Sequence, residues 1–214
     1  MTTKRFENLD PERRKKILEA AQEDFIHSGY EGASLNTIAR EAGISKGSLY
    51  YYFEDKVDLY LAVLQKNVDD ILEQLGDFGI GQFSDDFWSN LEKYMRKALK
   101  IAKERPELFS LSRGLINLYY SPNRSDRVIE FFNYSKNIFA KILKHGLDKG
   151  VIRTDVPFGL LVNMIHGFHE AFDHWVLDHI EEISEDEYER LMIIFLDILK
   201  DIASAKPSLQ QEES

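Results

Sequence analysis

Two stretches of the chain carry side chains whose types and spacing could do chemistry. In the first, His166, His169 and Asp173 stand at i, i+3 and i+7, one face of a helix. Two imidazoles and a carboxylate so placed are suitable ligands for zinc, nickel or iron. The chain holds no Glu-x-x-His and no His-Glu-x-x-His, however, and no convincing fourth ligand accompanies the set. No metal and no other cofactor is therefore expected, and the two histidines read better as polar anchors within an apolar surface.

The second stretch is SLNTIAREAGISKGSLYYYFEDK, residues 34–56. Two short apolar-faced segments flank Gly43, which allows the left-handed backbone of a tight turn. Ala39 is small where two helices must cross, and Ile38, Ile44 and Leu49 can form the seam between them. This is the layout of a helix-turn-helix, whose second helix enters the DNA major groove. Here that helix opens Ser45-Lys46-Gly47-Ser48, offering hydroxyls, a cation and bare backbone to bases or phosphates. Tyr50, Tyr51 and Tyr52 follow. Three successive helical residues project about 100° apart, so at least one phenol must be exposed.

Stepping outward to the elements that position these groups, helical periodicity runs through nearly the whole chain and sustained strand alternation is absent. The expectation is an all-α chain of about nine helices. Asp10-Pro11 caps the first, which ends near Ser28-Gly29; Ser34, Ser45 and Asp55 open the next three. After a break at Gly76–Gln82, Ser84 can cap a fifth helix to Glu104. Segments 107–120 and 126–149 form the sixth and seventh, and Asp155 caps an eighth to His179. Ser184 with Glu187 makes a capping box for a ninth, to about Ala203. The polar tail KPSLQQEES is expected to fray.

Composition narrows the function classes. Among 214 residues there is no cysteine, which excludes disulfide frameworks and thiolate chemistry. The longest apolar runs are far shorter than the roughly 18 residues of a membrane helix, and MTTKRFENLD lacks an apolar signal core. A soluble, cytoplasmic protein is expected. The net charge is −10, yet residues 1–50 hold eight basic and eight acidic side chains. A near-neutral head on an acidic body permits a local basic face. Asp77-Phe78-Gly79 spells a kinase signature without its catalytic loop. No enzyme is expected.

With these residues in hand, the chain resembles the TetR family of bacterial transcriptional regulators through ILEAAQEDFIHSGYEGASLNTIAREAGISKGSLYYYFEDKVDLY, residues 17–60. The resemblance implies a helix-turn-helix DNA-binding domain over residues 1–55 and an effector-binding and dimerisation domain over 56–214. It places base-reading positions on Lys46, Gly47, Ser48 and Tyr50, beside Ser45. Phosphate contacts fall on Tyr51, Tyr52 and Lys56, with Ser34 and Thr37 on the preceding helix; the family often has histidine where Tyr52 stands. The last two helices are apolar nearly all round, which calls for a partner to cover them, and the resemblance implies a homodimer there. Phe168, Phe172, Leu191 and Phe195 are the candidate outward groups. A pocket for a small apolar or aromatic effector is implied in the intervening region, rich in aromatics including Phe109. Trp88, Asn117, Phe131, Tyr134, Asn163, His166 and His169 are its candidate lining residues. The implied function is that of a ligand-responsive regulator, a repressor released from double-stranded operator DNA by its effector.

Overall fold

The computed structural model describes residues 4–76, 86–179 and 182–205, with the side chains of residues 99, 102, 109 and 135 left aside. The expected cap Ser84, the Asp77-Phe78-Gly79 stretch, the Phe109 side chain and the tail beyond Ala205 lie outside the described residues. The elements are helices α1 (Lys4–Glu7), α2 (Pro11–Gly32), α3 (Leu35–Glu41), α4 (Lys46–Tyr52), α5 (Lys56–Leu75), α6 (Phe87–Glu104), α7 (Glu107–Tyr120), α8 (Asp126–Asp148), α9 (Phe158–His179) and α10 (Glu185–Ala203). An isolated antiparallel bridge joins Ile152 and Ser204. The fold is all-α, as the periodicity predicts.

Most expected caps are present. Asp10 accepts from the amides of Glu12 and Arg13, Ser45 from Ser48, Asp55 from Asp58, and Ser184 from Glu187. Two differ. Ser34 precedes α3 without a side-chain cap bond; its own amide donates to the Asp24 carboxylate at 2.7 Å. Asp155 lies before α9, which starts after Pro157; Arg153 donates to both its carboxylate oxygens at 2.7 Å. The first long helix also continues past its expected end. Gly29 adopts φ 66°, which kinks α2, and helical backbone resumes to Gly32.

The chain forms two compact units. The first comprises the described residues of Met1–Asp77 and Lys97–Phe132, the second those of Phe78–Arg96 and Asn133–Ser214. In the first unit Ile17, Ala21 and Phe25 of α2, Ile38 of α3, Leu49 of α4, and Leu59, Tyr60 and Val63 of α5 share one core with Leu111 and Val128. The sequence reading puts a boundary at 55/56; by packing, α5 groups with the helix-turn-helix. Tyr60 is the keystone. Its hydroxyl donates to the Leu111 carbonyl, its ring meets Phe25 and Tyr30 edge-on, and a Cβ on Gly114 would lie 2.3 Å from that hydroxyl. Only glycine lets α7 approach so closely. Nearby, buried Asn67 donates to Gln22 of α2 and accepts from Arg105.

The second unit buries Phe87 and Leu91 of α6, Leu143 of α8, Leu161 and Ile165 of α9, and Phe195 and Leu199 of α10. The outward candidates change here. Phe195 is fully buried, stacked by Phe168 at 4.8 Å and touched by Phe172 at 4.7 Å, and Leu191 is half-buried. The large apolar groups left exposed are Leu160, Met164 and Trp175 on α9 and Ile193, Ile194 and Ile198 on α10. Apolar residues on nearly every side gave the sequence no phase from which to pick the outward stripe.

Candidate nucleic-acid interface

The turn between α3 and α4 is built by Gly43 at φ 68°. Its amide bonds to the Arg40 carbonyl at 3.1 Å, and that of Ile44 to Ala39 at 2.9 Å, which closes α3. Ile38, Ala39 and Leu49 are buried between the two helices, so the opposite face of α4 is left to solvent. That face carries Ser45, Lys46, Gly47, Tyr50 and Tyr51, all exposed, with Ser48 half-buried beside them. The Ser45 and Ser48 hydroxyls lie 2.8 Å apart, which fixes both side chains. The Lys46 ammonium sits 5.8 Å from the centroid of the Tyr50 ring. Ser34 and Thr37, at the start of α3, are half-buried.

Two predicted phosphate contacts have other engagements. Tyr52 is half-buried, edge-on to Phe6 at 6.1 Å. The Lys56 ammonium donates to the carbonyls of Glu31 and Ala33 at 2.9 and 3.4 Å and lies over the Tyr30 ring. An ammonium has three donors, so these ties hold the end of α2 to the start of α5 and leave a donor over.

The junction between α4 and α5 rests on charge. Arg127 of α8 donates to Asp55 and to Glu54, the latter at 3.4 Å, and stands 3.8 Å from the buried carboxylate of Asp58. Asp58 in turn accepts from the Glu54 amide at 3.2 Å. Burial pushes its carboxyl above the ordinary carboxylate range. Nothing local in the sequence signals Arg127, which lies about seventy positions from its partners. Nor did it reveal α1, whose Phe6 is buried against Phe53 at 4.7 Å and whose Arg5 guanidinium lies 4.5 Å over the exposed Tyr51 ring.

The candidate effector residues are divided. Asn117, exposed, and Phe131, half-buried, belong to the first unit; Trp88, Tyr134, Asn163, His166 and His169 belong to the second. Tyr134 and Asn163 are exposed, and Trp88 is half-buried against Phe87. His166 and His169 do come together, both touching the Phe139 ring. His166 is buried and 3.7 Å from Glu170. Burial, then the charges of His169 and Lys136, lower its pKa below the ordinary value. His169 lies 3.1 Å from Asp173. Burial opposes its charging, but the Asp173 charge and hydrogen bond, with Glu170, outweigh that and raise its pKa. The Glu170 Oε1 atom is buried without a hydrogen-bond partner, and burial raises that carboxyl's pKa as well. Among the described residues no His, Asp and Glu set is arranged to hold a metal ion.

The raised His169 pKa has a signed consequence. Stability from the His169–Asp173 pair is fully present below the unfolded histidine value of about 6.5 and is lost as pH rises through the higher folded value. Asp173→Asn should therefore destabilise the protein more at mildly acidic than at alkaline pH, read as the melting-temperature difference from wild type. An equal difference at both pH values would exclude a charged pair.

Compared with known proteins, residues 17–63 match the family model described as bacterial regulatory proteins, tetR family. The HTH-type transcriptional activator FasR of Mycolicibacterium smegmatis is 49% identical over 61 residues, which span 28% of each chain. The HTH-type transcriptional repressor AcnR of Corynebacterium diphtheriae is 25% identical over 198 residues, 92% of this chain and 94% of AcnR. Among solved structures, that of the transcriptional regulator FadR from Bacillus subtilis in complex with stearoyl-CoA superposes with a TM-score of 0.68. It is 20% identical and covers 86% of this chain and 96% of FadR. The match to FasR covers little more than a quarter of either chain, whereas those to AcnR and FadR run through most of the chain.

Proposed function

Since the chain belongs to the TetR family of bacterial transcriptional regulators, which are not enzymes, we propose that it is a homodimeric repressor that leaves its operator when a small apolar or aromatic effector binds. The observation that carries the reading is the exposed face of α4, where Ser45, Lys46, Gly47, Tyr50 and Tyr51 surround Ser48 above a buried Leu49 seam. Lys46, Gly47, Ser48 and Tyr50 read bases beside Ser45; Tyr51, Tyr52 and Lys56, with Ser34 and Thr37, follow the phosphate track. The role boundary lies at 55/56, with DNA reading before it and effector binding and dimerisation after it.

Dimerisation falls to α9 and α10. Leu160, Met164 and Trp175 expose an apolar stripe on one, and Ile194 and Ile198, one turn apart, continue it on the other. A second copy of the same stripe covers it under two-fold symmetry, which also supplies two recognition helices for two half-sites. Effector binding falls to the region that holds Trp88, Asn117, Phe131, Tyr134, Asn163, His166 and His169. An apolar effector is in keeping with the stearoyl-CoA of the FadR complex, and repression with the printed role of AcnR. No helix among the described residues is long and apolar enough to cross a membrane, and a cytoplasmic place beside the DNA follows from this reading.

Selection from a randomised pool of duplexes tests it. An inverted repeat should be enriched, and a long-chain acyl-CoA or an aromatic acid offered as probe should release it. A pool that shows no enrichment after repeated rounds would refute the reading.

A further inference from the structure

The short helix α1 is a single turn of four residues, too short to persist on its own propensity. What holds it is Phe6. This ring is 3% exposed, packed at 4.7 Å on Phe53 and edge-on at 6.1 Å to Tyr52, the two residues that end α4. The amides of Asn8 and Leu9 close the turn on Lys4 and Phe6 at 3.1 Å each, and the Asp10 cap anchors the far side to α2. A buried plug and a cap thus pin the segment against the recognition helix.

The residue so delivered is Arg5. Its guanidinium lies 4.5 Å over the ring of Tyr51, a phenol that is 55% exposed. At an exposed site such a cation–ring contact is weak, enough to bias a rotamer and too little to explain the whole arrangement as a stabilising device. The N–H groups of a guanidinium lie in its own plane, so Arg5 held over this ring can meet a phosphate with two parallel hydrogen bonds. The same device occurs one residue earlier, with the Lys46 ammonium over Tyr50. Two successive exposed phenols of α4 therefore each hold a cation at the surface that faces outward.

We propose that Arg5 is a DNA-backbone contact, presented by α1 at the edge of the recognition surface and held there by Tyr51. The proposal rests on the reading of α4 as the DNA-reading helix. It extends the interface to a residue that precedes the helix-turn-helix and lies outside the segment matched by the family model. Because a phosphate contact carries no sequence information, Arg5 adds affinity for every duplex alike.

The test uses the full chain, with one duplex enriched from a randomised pool by the wild-type protein and one unrelated duplex, each titrated over a range of salt. Arg5→Ala should reduce the slope of log affinity against log salt by about one on both duplexes. The wild-type advantage then shrinks about tenfold for each tenfold rise in salt, and the ratio of affinities for the two duplexes stays unchanged. Arg5→Lys, which keeps the charge, should retain the slope. Arg5 is exposed and Phe6 supplies the packing, so the variants should melt as wild type does. An Arg5→Ala protein with the wild-type slope, or one with an altered affinity ratio at an unchanged slope, would overturn the proposal while leaving the reading of α4 intact. Wild-type binding without salt dependence would take down both.

Discussion

Ile194→Glu should leave each chain helical but turn the protein into a monomer at micromolar concentration, with operator affinity reduced about a hundredfold or more. Ile194 is 45% exposed on α10, one turn before Ile198, while Leu160 and Met164 stand half-exposed on α9. A carboxylate at the centre of an apolar seam is desolvated without a partner, which costs about 2–5 kcal/mol, and two-fold symmetry brings in two of them. The effect on DNA follows from geometry. A dimer engages its second half-site at high effective concentration, and a monomer forfeits about 10²–10⁴ in avidity. Phe195→Glu would be a poor substitute, because Phe195 lies under Phe168 and Phe172 in the core and its loss would unfold the unit. Sedimentation of Ile194→Glu as a dimer would reject α10 as the interface.

The second large effect belongs to the reading helix. Lys46→Ala and Ser48→Ala should change which duplex is preferred, each shifting discrimination by about 1–3 kcal/mol at the base it contacts, or roughly five- to 150-fold. Lys46 is exposed and poised over Tyr50; the Ser48 hydroxyl is held 2.8 Å from that of Ser45. Neither is buried in the core, so the fold should survive both changes. Ser45→Ala behaves differently, since it also removes the α4 cap at a cost of about 1 kcal/mol. Competition between the selected duplex and single-base variants measures the shift. If both alanine variants kept the wild-type ranking of duplexes, base reading would have to be assigned elsewhere.

Local chemistry was the legible part of this chain. The caps at Asp10, Ser45, Asp55 and Ser184 and the turn at Gly43 depend on neighbours within a few positions, and each could be read directly. The sequence reading places the start of α9 too early, at Asp155, whereas the helix begins at Phe158, after Pro157. The rest needed the third dimension. The helix α1 exists because Phe6 finds Tyr52 and Phe53 some forty-six positions away, and no propensity signals that. Arg127 reaches Glu54, Asp55 and Asp58 across a still wider gap in sequence. At α9 and α10 the sequence leads to the expectation of a partner but not to which stripe is left exposed, because an all-round apolar helix has no phase. The candidate effector residues were chosen as polar or aromatic breaks in apolar faces. That rule found the paired His166 and His169, but it also picked the exposed Asn117 and Asn163.

On the function proposed above, this acidic protein reads duplex DNA as a dimer through α4. The most direct measurement is a titration of the selected duplex with the full chain at several salt concentrations, with stoichiometry read from the same saturation point. Two chains per duplex are expected, with an affinity that falls steeply and linearly in log–log form as salt rises, with a slope of several units. Binding that ignored salt, or that saturated at a single chain per duplex, would contradict it.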